Sequence, residues 1–284
     1  MSIIQSGSII AQLNAMGILL QPDANVFIFD PAVTSYTLQN AIDDCTPAKG
    51  DVIVFLPGGH EVSAQVNIDC SGITIIAANR GLNPLVDGEF HAVYSAASFT
   101  TGPAAKISAP CRIIGIGFAS RDTGATFFSG AACLIGGDAD ANPFGVHMKN
   151  CRFPKWGLDN RIGLAIEGSS DCFIEECGFE GVGSAFDMGI YIQGAMQNLE
   201  IKACRFRQCT AAIKTGAFAG GGPHVLVHQN IVEDGKLLDT DGNAGTGLIT
   251  NNFLETATGT GSFDRAVGTL QTAGWQISGN QYAE

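Results

Sequence analysis

Two loops of the 284-residue chain carry oxygen ligands at alternate positions, Asp138-Ala-Asp140-Ala-Asn142 and Asp239-Thr-Asp241-Gly-Asn243. Carboxylate and amide oxygens spaced this way along a turn can wrap a calcium ion. Neither loop is followed by the bidentate Glu that completes an EF-hand loop. The same Asp and Asn types also close turns by bonding to their own backbone. The turn role is the expectation and calcium the alternative; no other cofactor is implied. Asp159, Asp187 and Asp239 lie in segments that folding could stack. If they met one another and an Arg within about 6 Å, they would form an acid–base or metal-binding set. Asp43-Asp44 sits in a helical run and reads as a solvated helix face. Gly59-His60 lacks a following Gly, and His60 reads as structural. His224 and His228 are four apart, a ligand spacing on a helix, but the run between them alternates as a strand does.

The nine cysteines make no CxxC pair. Cys172–Cys177 and Cys204–Cys209 are each five apart, which matches no zinc signature. Buried free thiols acting as small hydrophobes are expected, and with them folding in a reducing cytoplasm.

The elements that must position these residues show first in the composition. Glycine is 37 of 284 residues, nearly twice its usual share of about 7%. Charged residues are 15% against a usual share of about 25%, while hydrophobic residues are 45%. Disorder needs the reverse balance, collagen needs glycine at every third position, and a helical bundle needs many more Glu, Lys and Arg. A net charge of −12 with no basic run argues against nucleic acid as a partner. No apolar stretch of about 18 residues predicts a membrane span. The opening MSIIQSGSIIAQLNAMGILLQ lacks the basic start and unbroken apolar core of an export signal, so none is expected.

A repeat then organises the chain. CRIIGIGF (111–118), VHMKNCRF (146–153), CFIEECGF (172–179), LEIKACRF (199–206), VLVHQNIV (225–232), GLITNNFL (247–254) and WQISGNQY (275–282) share a common form. It is apolar-x-Ile-x-x-(Cys or Asn)-x-Phe. The sixth residues are Ile116, Cys151, Cys177, Cys204, Asn230, Asn252 and Asn280, stepping by 35, 26, 27, 26, 22 and 28. Between blocks lie LAIEG (164–168), IYIQG (190–194) and AIKTG (212–216), each ending in glycine. Strand-only units of this length predict a parallel β-helix with one coil per repeat. Cys151, Cys177, Cys204, Asn230, Asn252 and Asn280 would then stack as a structural ladder. An inward Asn can bond the neighbouring turn, and a Cys fills the same small volume.

Coil stacking also orders the charges. His147 and His228 take similar places in blocks three coils apart, roughly 14 Å, too far to share a metal. Arg112, Arg152 and Arg205 are expected along one edge beside Lys149 and Lys202. Glu175, Glu176 and Glu200 interleave as a ladder of opposite charge. Trp156 and Phe186 are expected in loops, placed to stack on sugars or on another subunit.

The N-terminal part differs. Tyr36 to Asp44 reads as a helix with Leu38, Ala41 and Ile42 on one face, placed to cap the open end of the solenoid. The run TLQNAID (37–43) followed by GDVIVFLPGGHEVSAQVNIDCSGITIIA (50–77) resembles the opening of pectate-lyase-like right-handed β-helices. It also resembles β-helix proteins of tailed-bacteriophage virions. The resemblance implies an all-β chain: a single right-handed parallel β-helix of about eight to nine coils with an N-terminal helical cap. Residues 1–35 would be an attachment arm. Residues 36–284 would be the solenoid, with its capping helix near 36–45.

Polysaccharide lyases of that superfamily use Asp-bound calcium with an Arg or Lys base, and its glycosidases use N-T-D, D-D and G-H-G motifs. Neither N-T-D nor G-H-G occurs here, and the D-D lies on the capping helix, so no catalytic residue is assigned and no enzyme activity is expected. The resemblance implies a structural virion protein, a capsid decoration or cement protein forming homotrimers on the particle. It would assemble in the host cytoplasm, with major capsid or tail proteins as partners. The alternative is a tail spike or polysaccharide lyase acting on a host or acidic glycan.

Overall fold

The structure, a computed structural model, describes residues 13–14, 18, 20–78, 91–120, 130–137, 143–154, 162–180, 186–194, 197–216, 224–241, 245–255, 263 and 267–283. Short strands wind into coils, and each strand pairs in parallel with its equivalent one coil away. Three sheets of ten, nine and seven strands result. One coil comprises Ser170–Glu175, Gly178–Glu180 and Phe186–Gln193; the next comprises Gln197–Lys202, Arg205–Arg207 and Cys209–Thr215. Each repeat block therefore spans a strand of the ten-stranded sheet, a corner and a strand of the nine-stranded sheet. The glycine-ended runs form the seven-stranded sheet.

Corner geometry explains the ladder. The residue before each ladder position is left-handed: Asn150, Glu176, Ala203, Gln229 and Asn251 have φ of 53°, 54°, 52°, 59° and 54°. That kink turns the chain through the corner and points the ladder residue inward. The Oδ1 of Asn252 accepts both the Asn230 backbone N–H at 3.0 Å and its Nδ2 at 2.9 Å. Asn252 Nδ2 in turn donates to Val227 O at 3.1 Å and Asn280 Oδ1 at 2.9 Å. The series continues at Cys204, whose N–H donates to Asn230 Oδ1 at 2.8 Å. Earlier coils replace the amide with a thiol, and Cys177 Sγ lies 3.3 Å from Glu175 O. Satisfying buried backbone polar groups through the coil axis is what lets the corners be dry.

The interior is otherwise apolar. Ile53, Ile75, Ile113, Met148, Ile174, Ile201, Val227 and Ile249 are register partners in successive coils of the ten-stranded sheet, and all are buried. Phe153, Phe179 and Phe206 stack with ring centroids 4.6 and 4.8 Å apart and interplanar angles of 2° and 7°. Those separations equal the strand spacing, so the stack follows from the coil repeat. Space for the rings comes from Gly163 and Gly189 across the core. A Cβ on Gly189 would stand 2.6 Å from Phe206 Cδ1.

Helix α1 (Leu38–Asp43) is N-capped by Thr37 in a capping box with Asn40, and it buries Leu38, Ala41 and Ile42. Its Asp-Asp pair belongs to the helix surface. Asp43 accepts from Gln39 at 2.8 Å, and Asp44 accepts from the Tyr36 hydroxyl at 2.8 Å. A second helix, α2 (Val267–Thr272), precedes the last coil and sends Leu270 into the core.

Two expectations need correction. Seven coils carry a strand in all three sheets among the described residues, against the eight to nine expected. Among the described residues the last two coils supply two strands each. There the third sheet continues as the single Leu238–Phe263 bridge, and α2 occupies part of the same connection. The solenoid also begins before residue 36, because Val26–Phe29 is the first strand of the ten-stranded sheet. Leu13 and Ile18 pack on the outer side of that sheet against Val26, Val52, Val54, Ile76 and Ile114.

Candidate functional site

Outward positions of the ten-stranded sheet line up in columns, because register repeats at every coil. The central column runs Arg112, His147, Phe173, Glu200, Leu226, Leu248, Gln276. Beside it runs Lys149, Glu175, Lys202, His228, Thr250, Ser278. Lys149 Nζ lies 3.0 Å from Glu175 and 3.3 Å from Glu176, and His147 Nε2 lies 3.4 Å from Glu175. Partial burial works against the charge of Glu175. The Lys149 ammonium and the His147 ring outweigh it and hold the carboxyl below its usual range. Burial, and then the Arg112 charge, lower the His147 pKa. His228 Nε2 lies 2.7 Å from Glu200 Oε1.

This register corrects two readings. His147 and His228 are not equivalent: they stand in adjacent columns, and each pairs with its own glutamate. Arg112 does not share an edge with Arg152 and Arg205. Arg112 precedes the corner and lies on the ten-stranded sheet, whereas Arg152 and Arg205 follow it and lie on the nine-stranded sheet. There Arg205 lies 2.7 Å from Glu233, which Arg207 also approaches at 3.7 Å, and Arg152 lies 3.8 Å from Glu180.

Of the acidic candidates, the two on described strands, Asp187 and Asp239, lie apart. Asp239 ends a strand of the seven-stranded sheet. Its Oδ1 accepts the Asp241 N–H at 3.0 Å, and its Oδ2 lies 3.8 Å from Lys214 Nζ. It therefore closes a turn and balances a lysine. Asp187 lies on the Phe186–Gln193 strand of the same sheet, two coils away. Register places it four residues from Tyr191, the position aligned with Asp239 through Lys214. That offset is roughly 13 Å along the strand. Asp138, Asp140, Asn142, Asn243, Asp159 and Trp156 lie outside the described residues, as does the side chain of Phe186. Among the described residues no three His, Cys, Asp or Glu side chains gather to hold a metal. His60 packs edge-on against Phe29 at 4.9 Å. All nine cysteines are buried free thiols. Burial pushes Cys172 and Cys209 up to about 12, far from nucleophilic use.

What sequence reasoning missed is a groove along the central column. It has a volume of about 540 Å³, is bounded by Phe173, Glu200, Leu226, Leu248, His224 and Gln276, and continues past Phe173 into a second depression at His147 and Lys202. Phe173 and Leu248 are 39% and 38% exposed. They are 75 residues apart, yet each is the second residue of its repeat block, and that shared place is the signal that joins them.

Residues 134–283 match the family model described as "Right handed beta helix region", and the chain belongs to that family. No curated protein matches its sequence. Among solved structures it is similar to an alginate lyase from Paenibacillus sp. str. FPU-7, with a TM-score of 0.58 and 15% identity over 90% of this chain and 95% of that one. It is similar to a pectin methylesterase from carrot, with a TM-score of 0.55 and 10% identity over 93% and 84%. It also resembles the enzymatically active domain of tailspike protein 4 from bacteriophage CBA120, with a TM-score of 0.54 and 14% identity over 93% of this chain and 36% of that one. At such identities the likeness shows a shared right-handed β-helix and leaves activity open.

Proposed function

We propose that the chain is a structural subunit of a tailed-phage virion, a capsid decoration protein that sits on the particle as a homotrimer. One observation carries this reading. Glu175, Glu233 and Asp239 each face a cation on a neighbouring coil, Glu200 lies 2.7 Å from the His228 ring, and Asp187 and Asp239 lie far apart in register. Such groups stiffen a shaft rather than poise a proton or a metal. Buried free thiols support folding in a reducing host cytoplasm before assembly. Major capsid or tail proteins are the partners proposed, with no nucleic acid, no membrane and no cofactor. The test is quantitative mass spectrometry of purified particles. Hundreds of copies per particle are expected; absence from particles would sink the proposal, and a handful of copies would move the chain to the tail.

The fold shared with an alginate lyase and a tailspike domain supports a second reading, a tail spike or polysaccharide lyase. Its test is the release of unsaturated or reducing ends from alginate and pectin. Turnover there would replace the structural reading.

A further inference from the structure

We propose that the outer face of the ten-stranded sheet binds an uncharged, extended glycan chain lying along the solenoid axis. The binding would be without cleavage. The floor of the groove is one column of register partners, Phe173, Glu200, Leu226, Leu248 and Gln276, covering five coils or about 19 Å. A pyranose ring is about as long as one coil step, so an extended chain meets an equivalent position at every sugar.

Cross-section selects the ligand class. Three of the five floor residues are apolar, and Phe173 is braced edge-on by His147 at a centroid distance of 6.1 Å, which fixes its ring as a platform. Rows able to hydrogen-bond flank the floor. Glu175, Lys202, His228, Thr250 and Ser278 lie on one side; Asn198, His224 and Thr246 lie on the other. A sugar has the matching section, an apolar C–H face with hydroxyls around its rim. The carboxylates and ammoniums within reach balance: Glu175 and Glu200 stand beside Lys149 and Lys202, with Lys149 3.0 Å from Glu175. With a chain charge of −12, the groove offers no excess of cations to a polyanion. An uncharged glycan fits, and a uronate polymer does not. This inference does not rest on the virion reading.

Affinity gel electrophoresis tests it. Gels would be cast with uncharged polymers (β-glucan, α-glucan, galactomannan, xylan) and, separately, with alginate and polygalacturonate. Retardation is expected in at least one uncharged polymer and in neither acidic one. Phe173→Ala and Leu248→Asp should weaken it about tenfold or more, the loss of one aromatic or aliphatic contact. Tyr282→Ala, exposed elsewhere, should leave it unchanged. Circular dichroism melts confirm that the variants fold. Retardation in none of the uncharged polymers, equal retardation in alginate, or indifference to Phe173→Ala would each overturn the proposal. A changed sedimentation coefficient in Phe173→Ala without any glycan binding would mark the face as a protein interface instead.

Discussion

Each corner of this solenoid places one residue in a conformation that L-amino acids disfavour. Asn and Gly tolerate it, and the corners hold Gly115, Asn150, Asn251 and Gly279. Ala203 does so with φ 52° and no side-chain compensation. Ala203→Gly should therefore raise unfolding stability by about 1 kcal/mol, read from the midpoint of a urea titration; a loss would mean that the Cβ packs usefully. The thiols predict a pH response. Burial raises Cys45, Cys172 and Cys209 from the ordinary 9.0 to about 12. Well below pH 9 both folded and unfolded thiols are protonated and the contribution is constant. Between pH 9 and 12 the unfolded chain releases protons that the folded chain keeps, so stability falls as pH rises. Chemical denaturation across that range should show the decline. A thiol reagent at pH 8 should label the native chain slowly and all nine sites once it is unfolded.

Elements in this fold exist through their neighbours one coil away, so a strand is as sensitive to what it stacks on as to its own sequence. Gly189 shows this. Its missing Cβ leaves room for the Phe206 ring and for Ala212 O, which a methyl would approach to 2.6 and 2.8 Å. Gly189→Ala should cost about 3 kcal/mol in a urea titration. Phe206→Leu in the same chain should recover part of that, because the backbone clash with Ala212 remains. Equal losses in the single and double variants would show that the ring is not the obstacle. The same dependence set what could be read from the sequence. Ladder positions were legible because the corner constrains residue type: only a small residue such as Cys, or an Asn that can bond the next turn, fits there. Capping helix α1 was legible from its apolar face, Leu38, Ala41 and Ile42, whereas its Thr37 cap emerged only from the structure. Outward columns carry no such constraint. Phe173 and Leu248 both stand second in their blocks, but that place also holds Arg112, His147, Glu200 and Gln276, so residue type gives no sign of a groove. Arg112 and Arg152 each follow a cysteine, yet Arg112 is second in its block and Arg152 seventh, and the corner between those places puts them on different sheets.

At the scale of the whole molecule, stability is close to a sum over coils and their interfaces, because each coil touches only those beside it. A consequence is that one whole coil is removable. Deleting residues 178–204 joins Cys177 to Arg205 and takes out 27 residues, one ladder step. Strand Ser170–Glu175 would then meet His224–His228, and Ile162–Glu167 would meet Cys209–Thr215. Phe153 would face Phe206, Ile174 would face Val227, and Leu164 would face Ile213, so every inward partner stays apolar. Cys177 would inherit the bond that Cys204 N–H now makes to Asn230 Oδ1. The shortened chain should keep its parallel-β circular dichroism and a cooperative melt, at a lowered midpoint. Deleting residues 178–190 removes 13 residues and throws every later strand out of register. Inward residues would turn to solvent, and the product should be insoluble or molten. If both deletions behaved alike, coil register would not be what holds this chain together.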